Sequence, residues 1–221
     1  MRRSIKEILI RVVILLAGLT IAHLGVTLFL LADLGADPFN VLIQGLFRTI
    51  SQGLQLSFLT HGYTHMAICF LIILILLIVD RSYVKIGTLL CMICGGPIID
   101  FFTWIFGSVI NSGNPFVVRI LTLGIGCVIL AYGMTIVIKS DSGTGPNDLV
   151  AIVISDKSKK PFSVMRIIVD VCFVAVGFLL GGVIGIGTII CAALVGPVAG
   201  VFLPINEKWI NAVVSKLMKS K

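Results

Sequence analysis

Six apolar runs divide the chain, at residues 11–32, 61–79, 86–106, 117–138, 162–181 and 184–204. Each is close to the roughly 20 residues that an α-helix needs to cross the hydrocarbon core of a bilayer. Lipid offers no partner to backbone N–H and C=O groups, so repeated runs of this length have one practical solution, an all-α bundle of transmembrane helices. Composition agrees. Of 221 residues, 58% are hydrophobic and 12% charged, against about 25% charged in a typical soluble domain. A water-soluble enzyme, a nucleic-acid-binding module and a disordered chain are excluded on these grounds. The first run follows Arg2, Arg3, Lys6 and Arg11. It is too long for the apolar part of a signal peptide and has no small-residue cleavage motif, so it reads as the first span.

Two further runs are too short to cross. They are residues 38–50 and 146–154; the second, as a helix, covers about 14 Å of a roughly 30 Å core. Each opens with proline, Pro38 or Pro146, just after a stretch bearing glycine and aspartate. Proline suits the first position of a helix. Both runs read as half-helices in re-entrant loops.

The net charge of +7 sets topology here and does not call for nucleic acid. With the N-terminus inside and six crossings, every lysine and arginine except Arg48, Arg119 and Arg166 falls on the cytoplasmic side. If the two short runs also spanned, Arg81 and Lys85 would move outside and the bias would weaken. Six crossings with both termini cytoplasmic is the arrangement favoured by the positive-inside rule. Residues 205–221, with Trp209 near the start and lysines beyond, read as a tail along the cytoplasmic interface.

The two halves repeat each other. At an offset of 108, Gly25, Thr27, Asp33, Gly35 and Pro38 fall on Gly133, Thr135, Asp141, Gly143 and Pro146. At an offset of 100, the stretch from Ile86 to Pro97 falls on that from Ile186 to Pro197, with Gly87, Thr88, Cys91, Gly96 and Pro97 all retained. Apolar composition alone would match leucine with isoleucine, but it would not align aspartate, threonine, glycine and proline in order. The first repeat lies within residues 1–110 and the second within 111–204, each with three crossings and one half-helix. Three is odd, so the second copy enters the membrane inverted, the plan of many secondary transporters. The half-helices then approach from opposite faces. Broken helices at membrane depth are tolerated only against protein or a watery cavity, and two matched breaks point to one central site.

The motif Gly35-Ala-Asp-Pro-Phe-Asn-Val-Leu42 resembles the Gly-x-x-Pro-Trp-Asp-x-Leu signature of the YczE-type bacterial membrane proteins, relatives of the YitT type. Gly143-Thr-Gly-Pro-Asn-Asp-Leu149, Arg166 with Asp170, Gly185-Ile-Gly-Thr188 and Gly196-Pro197 resemble the second-half pattern. The resemblance covers nearly the whole chain. It implies a small multi-pass protein of the bacterial plasma membrane and supplies little mechanism. Phe39 stands where the family has tryptophan and Asn40 where it has aspartate, so the charge at that first aspartate is missing.

Asp33, Asp37, Asp100, Asp141, Asp148 and Asp170 lie in or beside apolar runs. Such acids cost roughly 2.5–3.5 kcal/mol at a helix centre and mark a site by default. Arg166 and Asp170 share one helix face, four residues apart. Either they pair to enter the membrane, or Arg166 binds an anionic solute group that Asp170 orients. Asn147 and Asp148 sit in the first turn of the second half-helix, where capping and ligand contact are compatible roles. Asn40 is their counterpart in the first. These five are the candidate solute-binding residues. Asp33, Asp37 and Asp141 are candidates for gating or for a cation or proton, with turn formation as the competing role.

The remaining polar features carry less. His23 reads as a packing histidine. His61 and His65 are four apart without a third ligand, so no metal is expected. The six cysteines all lie inside apolar runs, and the Cys91–Cys94 pair reads as packing. No phosphate-cradling loop, catalytic triad or HExxH motif occurs, so neither an enzyme nor a cofactor is expected. Three functional classes fit: a small-solute transporter, favoured slightly for solutes with an anionic group; the substrate-binding membrane subunit of a multi-component uptake system; and a non-transporting assembly or regulatory protein. The expected partners are the bilayer, a small molecule or ion, and a second copy of the chain, since a dimer would shield the polar centre.

Overall fold

The computed structural model describes residues 4–54, 58–160 and 162–219; Arg2, Arg3 and Lys221, used in the topology argument, lie outside them. The described residues form eight α-helices and no strand: α1 (Ile5–Ala32), α2 (Pro38–Leu54), α3 (His61–Asp80), α4 (Ile86–Phe106), α5 (Phe116–Ser140), α6 (Pro146–Ser158), α7 (Phe162–Leu179) and α8 (Ile186–Lys219), with a 3-10 turn at Arg81–Tyr83. Among them α1, α3 (with its 3-10 turn), α4, α5 and α8 are long and apolar enough to cross a bilayer. α7 has 18 residues and carries Arg166 and Asp170. The outer surface is apolar, with Ile78 87% and Leu179 83% exposed. Apolar surface on that scale belongs in lipid. The molecule is a multi-pass helical membrane bundle.

Local chemistry explains where the helices begin and end. α1 starts at Ser4, whose hydroxyl accepts a hydrogen bond from the Glu7 N–H at 3.2 Å. Thr60 caps α3 in the same way through Tyr63 N–H at 3.0 Å. α1 and α5 stop on the same device, Asp33 (φ 49°) and Asp141 (φ 54°) in the left-handed region, which aspartate enters more readily than bulkier residues. Two residues further on, Gly35 (φ 107°) and Gly143 (φ 145°) turn the chain, and Pro38 and Pro146 open the short helices. α2 continues past residue 50 to Leu54, and α6 past residue 154 to Ser158, so both outrun their apolar stretches.

α1 and α5 make the most extensive helix pair. They run antiparallel. Arg11, near the start of α1, donates to Ser140 O at the end of α5 at 3.1 Å. Arg119, near the start of α5, donates from Nε to Ala32 O at 2.7 Å and from Nη2 to Asp33 O at 2.6 Å. Arg11 and Arg119 are 108 residues apart, and so are Ala32 and Ser140. Glycines let the two backbones touch. A methyl group on Gly25 would stand 2.6 Å from Gly126 O, and one on Gly133 would stand 2.7 Å from Gly18 O. Those two contacts exchange under the same offset.

The breaks dock crosswise. Gly187 N–H at the start of α8 donates to Leu34 O at 2.7 Å, and Gly87 N–H at the start of α4 donates to Ser142 O at 3.0 Å. A side chain at Gly35 would meet Thr188 Oγ1, and one at Gly143 would meet Thr88 N, each at 2.6 Å. Each break and the short helix after it meet one neighbouring segment, residues 80–87 in the second half and 180–187 in the first. Asp141 lies 3.3 Å from Lys85 Nζ, Asp156 accepts from Tyr83 Oη at 2.9 Å, and Lys157 lies 3.8 Å from Asp80. In the first half, besides Leu34, Gln44 accepts from Val183 N–H at 2.9 Å and Thr49 donates to Leu180 O at 2.7 Å.

Residues 205–219, read from sequence as a separate tail, continue α8 as one helix of 34 residues. That is about 51 Å, well beyond a roughly 30 Å core. Ile210 and Val214 pack with Ile14 and Ile136, so this end is tied to α1 and α5. Asn206 donates to Thr135 Oγ1 at 2.6 Å and accepts from Trp209 Nε1 at 2.7 Å.

Candidate functional site

The first turns of α2 and α6 and the middle of α7 bring the polar residues together. Arg166 is the hub. Its Nη1 donates to Asp148 Oδ1 in a short ion pair, and its Nε donates to Asp170 Oδ2 at 2.9 Å. Asn147 Nδ2 donates to the same Asp148 oxygen at 3.0 Å. Asp148 is only 9% exposed. The four candidates Asn147, Asp148, Arg166 and Asp170 therefore form one connected group.

Asn40, 3% exposed, belongs to a second group. Its backbone N–H donates to Asp37 Oδ1 at 3.3 Å and its amide Nδ2 to Asp37 Oδ2 at 2.7 Å. The first bond is a helix N-cap, so Asp37 sits at the positive end of α2. Asn40 Oδ1 lies 3.1 Å from His61 Nε2. Asp37 is within electrostatic reach of Arg166 and Asp170, and α2 and α6 both pack against α7, so the two groups are neighbours. Each short helix carries one carboxylate at its N-terminus: α2 at its cap, α6 at its third position, where Asp148 is the counterpart of Asn40.

Asp33 and Asp141 stand apart from this centre, at the C-caps of α1 and α5. Asp141 pairs with Lys85 at 3.3 Å and Asp33 lies 4.0 Å from Arg119 Nη2. Asp100 ties α4 to the start of α3, accepting from Thr60 Oγ1 at 2.8 Å and Gly62 N–H at 3.2 Å.

Two open clefts lie near the site, and none of the five candidate solute-binding residues lines either. The larger, about 540 Å³, is lined by residues of α1 to α4 together with Thr60, and includes His61, Asp100, Phe47 and Trp104. The smaller, about 210 Å³, lies between the start of α4 and the second break, with Lys85, Asp141, Thr144 and Leu149. His61 thus links the larger cleft to Asn40, and Leu149 lies next to Asp148 in the wall of the smaller. His61 is the site residue that sequence reasoning missed, because its partner lies 21 residues away. His65 instead stacks edge-on with His23 and Phe39, each at 5.5 Å. Cys91 packs with Leu15, Leu19 and Val137.

The chain is similar to known proteins over nearly its whole length. The family described as "Family of unknown function (DUF6198)" matches residues 9–204. The chain belongs to that family. It is 28% identical over 212 residues to the uncharacterized membrane protein YczE of Bacillus subtilis (strain 168), covering 96% of this chain and 94% of the relative. It is also 28% identical over 191 residues to the uncharacterized protein YyaS of the same organism, covering 86% and 91%. An uncharacterized protein of Haemophilus influenzae is 29% identical over 192 residues, covering 87% and 83%. No solved structure matches the chain. The membership places the molecule among YczE-type membrane proteins, as the motif at Gly35–Leu42 implies. Against that motif, Asp37 supplies a carboxylate 2.7 Å from the Asn40 amide, so the charge missing at residue 40 is present three residues earlier.

Proposed function

We propose that this DUF6198 protein is a small-solute transporter of the bacterial plasma membrane, built as an inverted repeat around a central site. In this reading α7 is the sixth span, α2 and α6 are re-entrant, and both termini are cytoplasmic. The crosswise contacts support it. Arg11–Ser140 with Arg119–Ala32, and Gly87–Ser142 with Gly187–Leu34, are pairs that exchange when the halves are exchanged. That each break and the short helix after it meet one segment fits a chain that enters and returns on one face. Alternating access would then work by moving one half against the other about a fixed site.

The observation that carries the reading is Arg166 held between Asp148 and Asp170, a charged network that ties the N-terminus of α6 to α7, with the cap of α2 at Asp37 within electrostatic reach. Charged groups at this depth are costly unless paired, and a chain retains them where solute passes. Asp37, Asp148 and Asp170 outnumber Arg166. The helix ends that would attract an anion already hold carboxylates. The centre therefore suits a cationic group better than the anionic one that the helix termini alone suggest.

The test is a thermal-shift screen of the purified protein in detergent against sodium, potassium, organic amines, amino acids and carboxylates. A ligand that binds only the folded form stabilises it by about 2.7 kcal/mol at one hundred times its Kd. The expected result is a cationic ligand whose shift disappears in Asp148→Asn and in Arg166→Gln. If no ligand shifts the protein and both variants are simply less stable, the charges are structural and the transporter reading fails.

A further inference from the structure

We propose that Asp170 is the proton-binding carboxyl of this site and that the solute is moved in exchange for protons; the exchange rests on the transporter reading, whereas the proton site stands on its own geometry. The carboxylates of the centre are held differently. Asp37 has both oxygens occupied by Asn40, through N–H at 3.3 Å and Nδ2 at 2.7 Å. Asp148 Oδ1 receives both Arg166 and Asn147. Asp170 receives Arg166 on Oδ2 at 2.9 Å, while its Oδ1 is buried without any hydrogen-bond partner. Among the described residues no other buried carboxylate oxygen is bare.

A bare buried oxygen on an ionised carboxylate bears the full loss of its hydration. Binding one proton turns Oδ1 into a hydroxyl and removes the charge; nothing else is consumed or released. Besides Arg166, its partner on the same helix, the titratable groups within electrostatic reach of Asp170 are Asp148 on α6, Asp37 at the start of α2 and Cys191 on α8. Arg166 attracts the ionised form, and the two other carboxylates repel it. When Asp170 takes a proton, Arg166 keeps its pairing with Asp148, so the guanidinium is not stranded. Of the two negative charges by which the three carboxylates exceed Arg166, a proton on Asp170 removes one and so weakens the hold on a cationic solute, which favours an exchange of the two.

The experiment labels the wild-type protein in lipid nanodiscs with dicyclohexylcarbodiimide, an apolar reagent that attacks protonated carboxyls within membranes. The acid proton passes to a carbodiimide nitrogen and the carboxyl oxygen bonds to the central carbon. The adduct then rearranges to a stable N-acylurea that retains the whole reagent. Peptide mapping by mass spectrometry locates it. The expected result is labelling at Asp170 that falls several-fold from mildly acidic to alkaline pH and is absent in Asp170→Asn. The wild-type map decides the question even if that variant fails to fold. No label on Asp170 across the pH series, or label on Asp37 or Asp148 in its place, overturns the proposal. Label at Asp170 in a protein that no solute stabilises would leave the proton site standing and the transporter reading fallen. A stabilising solute without that label would do the reverse.

Discussion

The Asp37 carboxylate accepts the Asn40 amide at 2.7 Å and so returns to α2 the charge that its third position lacks. In α6 the arrangement is reversed: the cap is Gly145 and the acid, Asp148, is at the third position. The first prediction exchanges the two. Asp37→Asn alone keeps an N-cap oxygen but turns an amide donor toward Asn40 Nδ2, so stability should fall by about 1–2 kcal/mol, while affinity for a cationic ligand should drop about tenfold, or about 1.4 kcal/mol. Adding Asn40→Asp should restore most of that affinity. Titration of the ligand found in the thermal-shift screen checks it. Failure of the double variant to recover would show that the position of the charge matters, and not only its presence.

The α1–α5 seam predicts a contrast between glycines of one helix. A methyl on Gly133 would meet the backbone of Ala22, whereas one on Gly124 would meet nothing within 4 Å. Gly133→Ala should destabilise by about 1–3 kcal/mol, because backbone on both sides leaves no room to repack. Gly124→Ala should be neutral or up to about 1 kcal/mol stabilising, since alanine favours the helix. Unfolding in mixed detergent micelles measures both. Equal effects at the two positions would remove the seam as a constraint.

Much of this was legible in the sequence because it depends on local chemistry. Asp33, Gly35 and Pro38 announce a stop, a left-handed turn and a new start, and they do so again at Asp141, Gly143 and Pro146. Contacts between distant residues were not legible. Arg11 and Arg119 flank apolar runs, where arginine reads as a topological charge, and nothing local reveals a carbonyl 129 or 87 residues away. The cap role of Asp37 was not legible either, because it depends on the backbone of α2. The continuation of α8 was hidden by Pro204 and by Glu207 and Lys208, which look like the end of a span. It is held by long-range packing of Ile210 and Val214 against Ile14 and Ile136.

Arg119 gives a third prediction. Its two donors close the carbonyls of Ala32 and Asp33, which α1 leaves open at its end. A hydrogen bond from a charged donor contributes about 1.5–3 kcal/mol. Arg119→Gln should therefore destabilise by about 2 kcal/mol or more. Arg11→Gln should cost less, because Arg11 reaches one carbonyl at 3.1 Å and otherwise pairs with Glu7 on its own helix. The same detergent unfolding experiment ranks them. The reverse ranking would mean that the two ends of the seam are not closed by these arginines.

The last prediction concerns the two clefts. Leu30 lines the larger and Ile138 the smaller, and the two residues are 108 apart. In the proposed inverted repeat they occupy corresponding places on opposite sides of the site, so a single cysteine at each would report one side. The background should carry Cys94→Ser and Cys172→Ser, since the other native cysteines are buried. In proteoliposomes, the rate of reaction with a small water-soluble thiol reagent reads access from each side. If the halves move about a fixed centre, conditions that change occupancy, a saturating cationic ligand or a shift in pH, should alter the two rates in opposite directions by several-fold. A rate at Leu30→Cys that falls while that at Ile138→Cys rises is the signature of alternating access. Rates that move together would indicate loosening of the whole bundle, and rates that do not move would leave the clefts as static packing defects.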